Sequence, residues 1–269
     1  MRCLPLLLAL SGLTLAAGAQ CLDQGRSMSA PTEHQLLFSA GRINVLDTYL
    51  SPLEYTGPSV GVLHRSERLA RWGKGRVTVT GLVNGYAAYL HSPTDDGKEW
   101  EGHLSGAFGW HYNWRPARGL RLGLGGLAEL STGFTYNTRN GNNPAQGRLG
   151  VSVALSAIAS YDFRVCRRRL SARAQVDVPL TGAQFTPNYG QSYYEIFSLG
   201  HYDHNVRWTH PGYAPSCRML ATLSFPLGRS TLSVGYWMDI RQSELNHLKR
   251  HAWSHQFVLG YVRRIRLCP

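Results

Sequence analysis

The sequence predicts an all-β protein, a transmembrane antiparallel up-and-down β-barrel of about ten strands, with twelve as the alternative. Three observations carry this prediction. The first segment resembles a secretory signal, no later segment is apolar for the roughly 18 residues that a membrane helix needs, and most of the remaining chain alternates apolar and polar residues with a period of two. A chain with this alternation can cross a membrane only as a closed barrel, because lipid satisfies no backbone hydrogen bonds.

The N-terminal segment has the three parts of a secretory signal peptide. Arg2 supplies a positive charge, residues 4–15 are largely apolar, and Ala17-Gly18-Ala19 supplies the small residues of a cleavage site. We therefore expect cleavage after Ala19, so that residues 1–19 are removed. Lipid attachment at Cys21 is disfavoured because Gln20 stands where lipoprotein processing needs a small residue.

The net charge of +12 comes almost entirely from arginine. A basic protein often binds nucleic acid, but a secretory signal argues against that partner here. We expect lipopolysaccharide phosphates and other outer-membrane lipids as partners, with part of the arginine lining the lumen. The barrel-assembly machinery is the expected partner during biogenesis, and we expect a monomer without a cofactor. Cys166 and Cys268 fall on the same side of the predicted topology, where they either pair or remain free thiols.

The clearest alternation lies in residues 149–165. Over 17 residues its odd positions are apolar and its even positions are small or charged except Ile158, whereas strands of soluble proteins average five or six residues. A soluble β-sandwich would also alternate. Aromatic residues near the segment ends, such as Trp110, Trp114 and Tyr161, favour the membrane because they match interfacial girdles.

Short turns at 115–119, 166–169 and 226–229 set the strand count, since two turns on the same side must enclose an even number of strands. Ten strands result, at about 35–46, 57–67, 75–91, 98–114, 119–137, 146–165, 169–180, 216–227, 230–242 and 252–267. The domain prediction is a segment 20–56 that contributes at most the first strand, and a barrel 57–269 with a long external loop 181–215. The twelve-strand alternative adds a hairpin near 190–209.

Three motifs occur together along the chain: residues 46–57, residues 188–197 and residues 254–262. With these motifs the chain resembles a domain-of-unknown-function family of predicted outer-membrane β-barrel proteins from Gram-negative bacteria. The resemblance covers nearly all of the mature chain and implies an uncharacterised barrel. It implies no activity, cofactor or catalytic residue.

The first candidate site is a set of charged residues on the lumen face. They form either an anion-favouring passage or a salt-bridge network that fills a narrow lumen. The set is Arg121, Glu129, Asp162, Arg164, Arg173, Asp177, Asp239, Arg241, Arg264 and Arg266.

The second candidate site is the long external loop, whose Tyr193, Tyr194, Glu195 and Trp208 are candidate ligand contacts. The same loop carries possible metal ligands, but their spacing matches no standard site, so no metal is expected. These residues are His201, Asp203, His204 and His210. Earlier in the chain, Pro52, Glu54 and Tyr55 form either a corner into the barrel or a plug.

Two catalytic arrangements complete the candidates. Asp95 and Asp96 in one loop and Asp203-His204 in another could form a rim site in which an aspartate orients a histidine as base. Ser254 and His255 suggest a lipid hydrolase, but neighbouring residues of a strand point to opposite faces. The sequence thus favours a non-enzymatic structural or binding protein or a narrow solute passage, with a rim hydrolase of lipid or peptide as the alternative.

Overall fold

The computed structural model describes residues 31–166, 168–227 and 230–265. The predicted signal peptide and its cleavage site, Cys268 and Arg266 lie outside these residues, so the Cys166–Cys268 pairing keeps its status as a prediction. In the described part of the chain, no helix is both long enough and apolar enough to pass through a membrane.

Ten antiparallel strands close into a single barrel, which confirms the predicted fold class and strand count. Each barrel strand pairs with its neighbour in the chain, and the first strand, β1 (Thr32–Asp47), pairs with the last, β11 (Leu248–Ile265), to close the ring. The short β8 (Val206–Thr209) adds to the outer part of β7 (Arg168–Phe185). The barrel strands are β1 (Thr32–Asp47), β2 (Ser51–Leu69), β3 (Val77–His91), β4 (Lys98–Ala117), β5 (Leu120–Asn137), β6 (Ala145–Val165), β7 (Arg168–Phe185), β9 (Cys217–Leu227), β10 (Ser230–Leu245) and β11 (Leu248–Ile265).

The two ends of the barrel differ. One end, here called the turn end, carries the connections between β2 and β3, β4 and β5, β6 and β7, and β9 and β10, together with both ends of the described chain. The other, the loop end, carries the remaining connections, including residues 186–216 with helix α1 (Tyr193–Phe197) and strand β8 (Val206–Thr209). The twelve-strand alternative is wrong, because the segment 190–209 forms this helix and a four-residue strand instead of a hairpin of the barrel.

Several strands run further than the sequence pattern indicates. Strand β2 begins at Ser51, so Pro52, Glu54 and Tyr55 lie within the barrel wall and do not form a separate corner or plug. Strand β7 ends at Phe185 because its outer part pairs with both β6 and β8, and the long loop therefore begins at residue 186 instead of 181. Strands β10 and β11 meet in a two-residue turn, Asn246-His247, in which both residues have positive φ (51° and 61°), as a type I′ hairpin requires.

The outer surface carries an apolar band between two belts of aromatic side chains. On β4, Trp100 near the loop end and Trp110 near the turn end both face outward, with Leu104 and Phe108 between them. The two tryptophans are ten residues apart, which matches the roughly nine to eleven residues of a tilted membrane strand. This band is the surface expected of a barrel embedded in lipid.

Candidate functional site

An apolar layer crosses the lumen at mid-height. Eight strands each contribute one inward-facing side chain to this layer, and all eight are buried. Trp237 is the largest of them and is 3% exposed. The layer consists of Leu37, Leu63, Leu82, Ala107, Leu127, Leu220, Trp237 and Val258. Because these side chains pack against one another where a pore would have to pass, the layer divides the lumen into two compartments.

The compartment toward the turn end is filled by a buried ion-pair cluster centred on Glu67. Arg173 lies 2.5 Å from its carboxylate and Arg65 lies 3.5 Å away, while Arg121 donates a hydrogen bond to the same group. Glu33 contributes a second carboxylate 3.3 Å from Arg65. Buried charges are tolerated only when they are paired, and this cluster places three guanidinium groups around Glu67 and the partly exposed Glu33.

The compartment toward the loop end contains two further clusters. In the first, Arg148 and Arg250 each donate to Glu101 at 2.8 Å, and Asp47 lies within 3.7 Å of both guanidinium groups.

In the second cluster, Arg218 lies 2.5 Å from Glu129 and 3.7 Å from Asp177, and Arg241 pairs with Asp239. The four arginines of the two clusters lie among five carboxylates, so neither cluster presents an uncompensated positive charge.

A chamber of about 120 Å³ remains between these two clusters. It has room for several water molecules. Several polar atoms at its wall have no hydrogen-bond partner among the described residues, including Nε2 of His103, Oγ1 of Thr181 and Nε of Arg218. Buried polar groups are normally satisfied by protein or by ordered water. The chamber is thus suited to water or a small polar solute.

The chamber reaches a seam in the barrel wall. Strand β7 pairs with β9 only as far as Asp177 and Arg218, whereas its pairing with β6 continues to Phe185. Pro179 follows two residues later in β7, and a proline cannot donate a ladder hydrogen bond. Thr181 of β7 and Ser216 of the long loop line the chamber on the two sides of this seam.

The long loop 186–216 folds over the loop end through specific contacts. The hydroxyl of Tyr193 donates to the carbonyl oxygen of Gly147 (3.1 Å) and accepts from its N–H (2.6 Å). The hydroxyl of Tyr49 donates to the carbonyl oxygen of Gln191 at 2.8 Å, and burial there raises the pKa of Tyr49 to about 12. Asn246 donates to the carbonyl oxygen of His204 at 2.9 Å. These contacts make the loop a structured cover.

The four candidate ligand contacts of this loop have different environments. Tyr193 is an anchor of the loop, and Glu195 forms a capping box with Ser192 at the start of α1. The backbone N–H and the hydroxyl of Ser192 hydrogen-bond to Glu195 and hold the pKa of its carboxyl below the ordinary value. Tyr194 and Trp208 are 65% and 67% exposed, so only these two are free to contact a ligand from solvent.

The proposed catalytic residues are arranged as separate pairs. Asp203 and His204 lie 2.7 Å apart on the long loop, and both are exposed. Asp95 contacts His91 at 2.5 Å, and Asp96 pairs with Arg139 at 2.8 Å.

Hydrogen bonds from Thr94 and Ser92 hold the pKa of Asp96 below its ordinary value. In the described part of the chain no hydrogen bond or ion pair joins the two loops' acids, and no group of three or more potential ligands is placed to hold a metal ion.

The predicted lumen charges divide into two groups. The structure places six of them in the lumen: Arg121, Glu129, Arg173, Asp177, Asp239 and Arg241. Asp162, Arg164 and Arg264 lie near strand ends at the turn end and are exposed to solvent, so they are not part of the buried lumen clusters. The sequence interpretation missed Asp47, Arg65, Glu67, Glu101, Arg148, Arg218 and Arg250. Strand parity could have found several of them, since Glu101 shares its face with the polar residues His103 and Ser105.

Replacement of Tyr193 by phenylalanine is expected to loosen the long loop without opening the barrel. The change removes the two hydrogen bonds to Gly147, which are worth about 1 kcal/mol in net stability. Trypsin cleavage after the exposed Arg207 should then accelerate by about five-fold. Tyr194→Phe is the matched control, because that side chain is exposed, and it should leave the cleavage rate unchanged. Equal rates in both variants would contradict the anchoring role.

The chain belongs to a family described as "Protein of unknown function (DUF3316)", which its sequence matches over residues 4–268. This assignment confirms the predicted resemblance to a family of unknown function. Among curated proteins, none matches the chain significantly in sequence.

Comparison with solved structures finds outer-membrane barrels. The chain is similar to the transport unit of the autotransporter AIDA-I from Escherichia coli (9% identity, 94% of this chain and 97% of that chain, TM-score 0.41). It is also similar to the β domain of the Bordetella autotransporter BrkA (14% identity, 87% and 98%, TM-score 0.43) and to the COG4313 outer-membrane channel from Pseudomonas putida F1 (10% identity, 91% and 100%, TM-score 0.35). At these values the similarities carry no functional argument.

Proposed function

We propose that this protein is a closed, non-conducting barrel of the Gram-negative outer membrane and that it acts as a non-enzymatic binding protein at its loop end. The observation that carries the proposal is the apolar layer across the lumen. The outward apolar band and its two aromatic belts support the membrane location. The turn end then faces the periplasm, because short turns of bacterial barrels lie on that side.

The apolar layer favours a closed lumen over a narrow solute passage. A hydrated ion crossing it would lose its water where Trp237, Leu127 and Leu220 offer no polar replacement. Ion-pair clusters lie on both sides of this layer. Because the interior does not conduct in this proposal, its role is to support the loops. The binding surface consists of the chamber and the exposed aromatic side chains of the long loop.

Conductance in a planar lipid bilayer tests this proposal. The wild-type protein is expected to give no discrete current steps. The double variant Leu127→Ala/Trp237→Ala truncates two side chains of the layer, one of them its largest, and is expected to conduct. The matched control, Leu104→Ala/Trp100→Ala, changes the same residue types on the outer surface, where both are 52% exposed, and should stay silent. Current steps from the wild type would support the narrow passage instead.

The rim-hydrolase alternative has one supporting observation, the 2.7 Å contact between Asp203 and His204. A hydrolase would lose its activity on lipid or peptide in the variant Asp203→Asn/His204→Ala. The proposed binding role instead predicts that the wild type already hydrolyses neither substrate. Wild-type turnover that this variant abolishes would replace the proposal with the alternative.

A further inference from the structure

Exposed basic side chains crowd the turn end of the barrel. Eleven are exposed there in the described part of the chain, together with a single exposed acid, Asp162. The eleven are Arg68, Arg71, Lys74, Arg76, Arg115, Arg118, Arg164, Arg168, Arg169, Arg263 and Arg264. We call this set the basic rim. Of these residues, Arg264 is paired with Glu33 at 3.2 Å, which leaves most of the charge uncompensated.

The loop end has no such excess. Among the described residues, the exposed cations on this half of the barrel are Arg42, Lys98, Arg139, Arg207 and Lys249, and the exposed acids are Glu54, Asp95, Asp96, Asp203 and Glu244. The charge of this protein is therefore polarised along the barrel axis. The expectation that lipopolysaccharide phosphates and a charged lumen accommodate the arginine stays a prediction, and the basic rim lies at the end opposite the external loops.

The basic rim is continuous with the aromatic belt of the turn end. Trp72, Tyr112 and Trp114 are exposed beside it, and Arg76 donates a hydrogen bond to the Tyr112 hydroxyl at 3.0 Å. Aromatic side chains of membrane proteins lie at the level of the lipid headgroups. Cations directly adjacent to that belt are then at the depth of the headgroup phosphates.

The rim also extends around the barrel instead of forming one patch. Its members come from β2, the β2–β3 connection, β4, the β4–β5 turn, both strands next to the β6–β7 turn, and β11. A soluble acidic partner would contact one side of such a ring. A bilayer surrounds the whole circumference, and guanidinium groups bind phosphate through paired hydrogen bonds.

We propose that the basic rim binds anionic phospholipid headgroups of the periplasmic leaflet. This inference rests on the proposed membrane barrel and adds a lipid preference to its turn end. Near an anionic membrane surface, each basic residue raises the association constant for the membrane by about five-fold. The rim therefore favours an anionic over a zwitterionic lipid next to the barrel.

Brominated lipids, which quench tryptophan fluorescence on contact, provide the test. The full mature chain is reconstituted in phosphatidylcholine vesicles that contain a fixed fraction of either brominated phosphatidylglycerol or brominated phosphatidylcholine. We expect the wild type to favour the anionic lipid by at least about five-fold in relative association constant. The variant Arg71→Gln/Lys74→Gln/Arg115→Gln/Arg118→Gln should lose most of this preference.

A matched control removes the same number of charges at the other end. Lys98→Gln/Arg139→Gln/Arg207→Gln/Lys249→Gln should keep the preference. In the wild type, raising the salt from 0.1 M to 1 M is expected to weaken it, because the screening length falls from about 10 Å to about 3 Å. This second measurement needs no variant and therefore stays informative if a variant fails to fold.

Three results would overturn the inference: equal quenching by both lipids in the wild type, a preference that survives in the rim variant, or binding of detergent-solubilised protein to peptidoglycan that depends on the same four residues without a lipid preference. If the wild type inserts and shows no preference, only this inference fails. If it does not insert into vesicles, the proposed membrane barrel fails as well.

Discussion

Replacement of Glu67 by glutamine is expected to destabilise the barrel by about 3–5 kcal/mol, the cost of leaving buried charge without its partner. Glu67 is the shared counter-ion of Arg65, Arg121 and Arg173 in the turn-end compartment. Glutamine keeps the size of the side chain but removes its charge. The measurement is the urea concentration at which half of the lipid-reconstituted protein unfolds.

Glu244→Gln is the control for this change. That side chain is 62% exposed on the loop end, and its nearest cation, Lys249, lies 3.8 Å away. Exposed ion pairs contribute ~0–1 kcal/mol, so the midpoint should hardly move. If Glu67→Gln behaved like the control, the buried cluster would not be a stabilising element of the lumen.

Replacement of Leu104 by arginine is expected to cost about 2–4 kcal/mol, the penalty for a cation on the lipid face near the bilayer midplane. Leu104 is outward-facing and 52% exposed, between the tryptophans that mark the two belts on β4. A water-soluble β-sandwich would tolerate arginine at a surface position with this exposure. The unfolding midpoint in lipid vesicles and the yield of membrane-inserted protein both measure the effect.

Leu227→Arg is the same exchange at a residue with the same exposed fraction, 52%, at the turn end of β9. Near the interface the cost falls to ~0–1 kcal/mol. A depth-dependent difference between the two variants supports the embedded barrel. Equal tolerance at both positions would contradict it.

The fold was predictable because two physical rules act on every strand. A barrel wall places successive side chains on opposite surfaces, so the alternation in residues 149–165 could be recognised and is the pattern of β6. The even-number rule for short turns then gave ten strands. The ends of strands were harder to predict. The extension of β7 to Phe185 depends on its pairing with β8, and no local sequence pattern indicates this pairing.

The closed lumen was harder to predict than the wall. Apolar residues on an inward face, such as Leu63 and Leu127, break the apolar-out rule only at isolated positions. They form a layer only in the folded barrel, where eight strands place them at the same height along the barrel axis. Trp237 was recognisable on the polar face of β10, but its partners were not, because the relative height of residues on different strands depends on the barrel's register.

The charged residues were predictable by type and less so by place. The alternation of side chains identified inward positions such as Asp177 and Asp239, which are buried in the structure. It cannot show where along a strand the lumen ends, and Asp162 and Arg164 were therefore assigned to the lumen although they are exposed. The loop residue Tyr193 has an anchoring role that depends on Gly147, 46 positions earlier in the chain. Contacts of this range are set by tertiary structure alone.

Heat-modifiability of the protein in isolated outer membranes tests the central claim most directly. Membranes of expressing Gram-negative cells are separated, and the outer-membrane fraction is run on a gel with and without boiling. The account predicts that the protein is found in this fraction and that its unboiled form migrates faster, because a closed barrel stays folded in detergent until heated. A protein recovered in the soluble periplasmic fraction, with the same mobility before and after boiling, would contradict it.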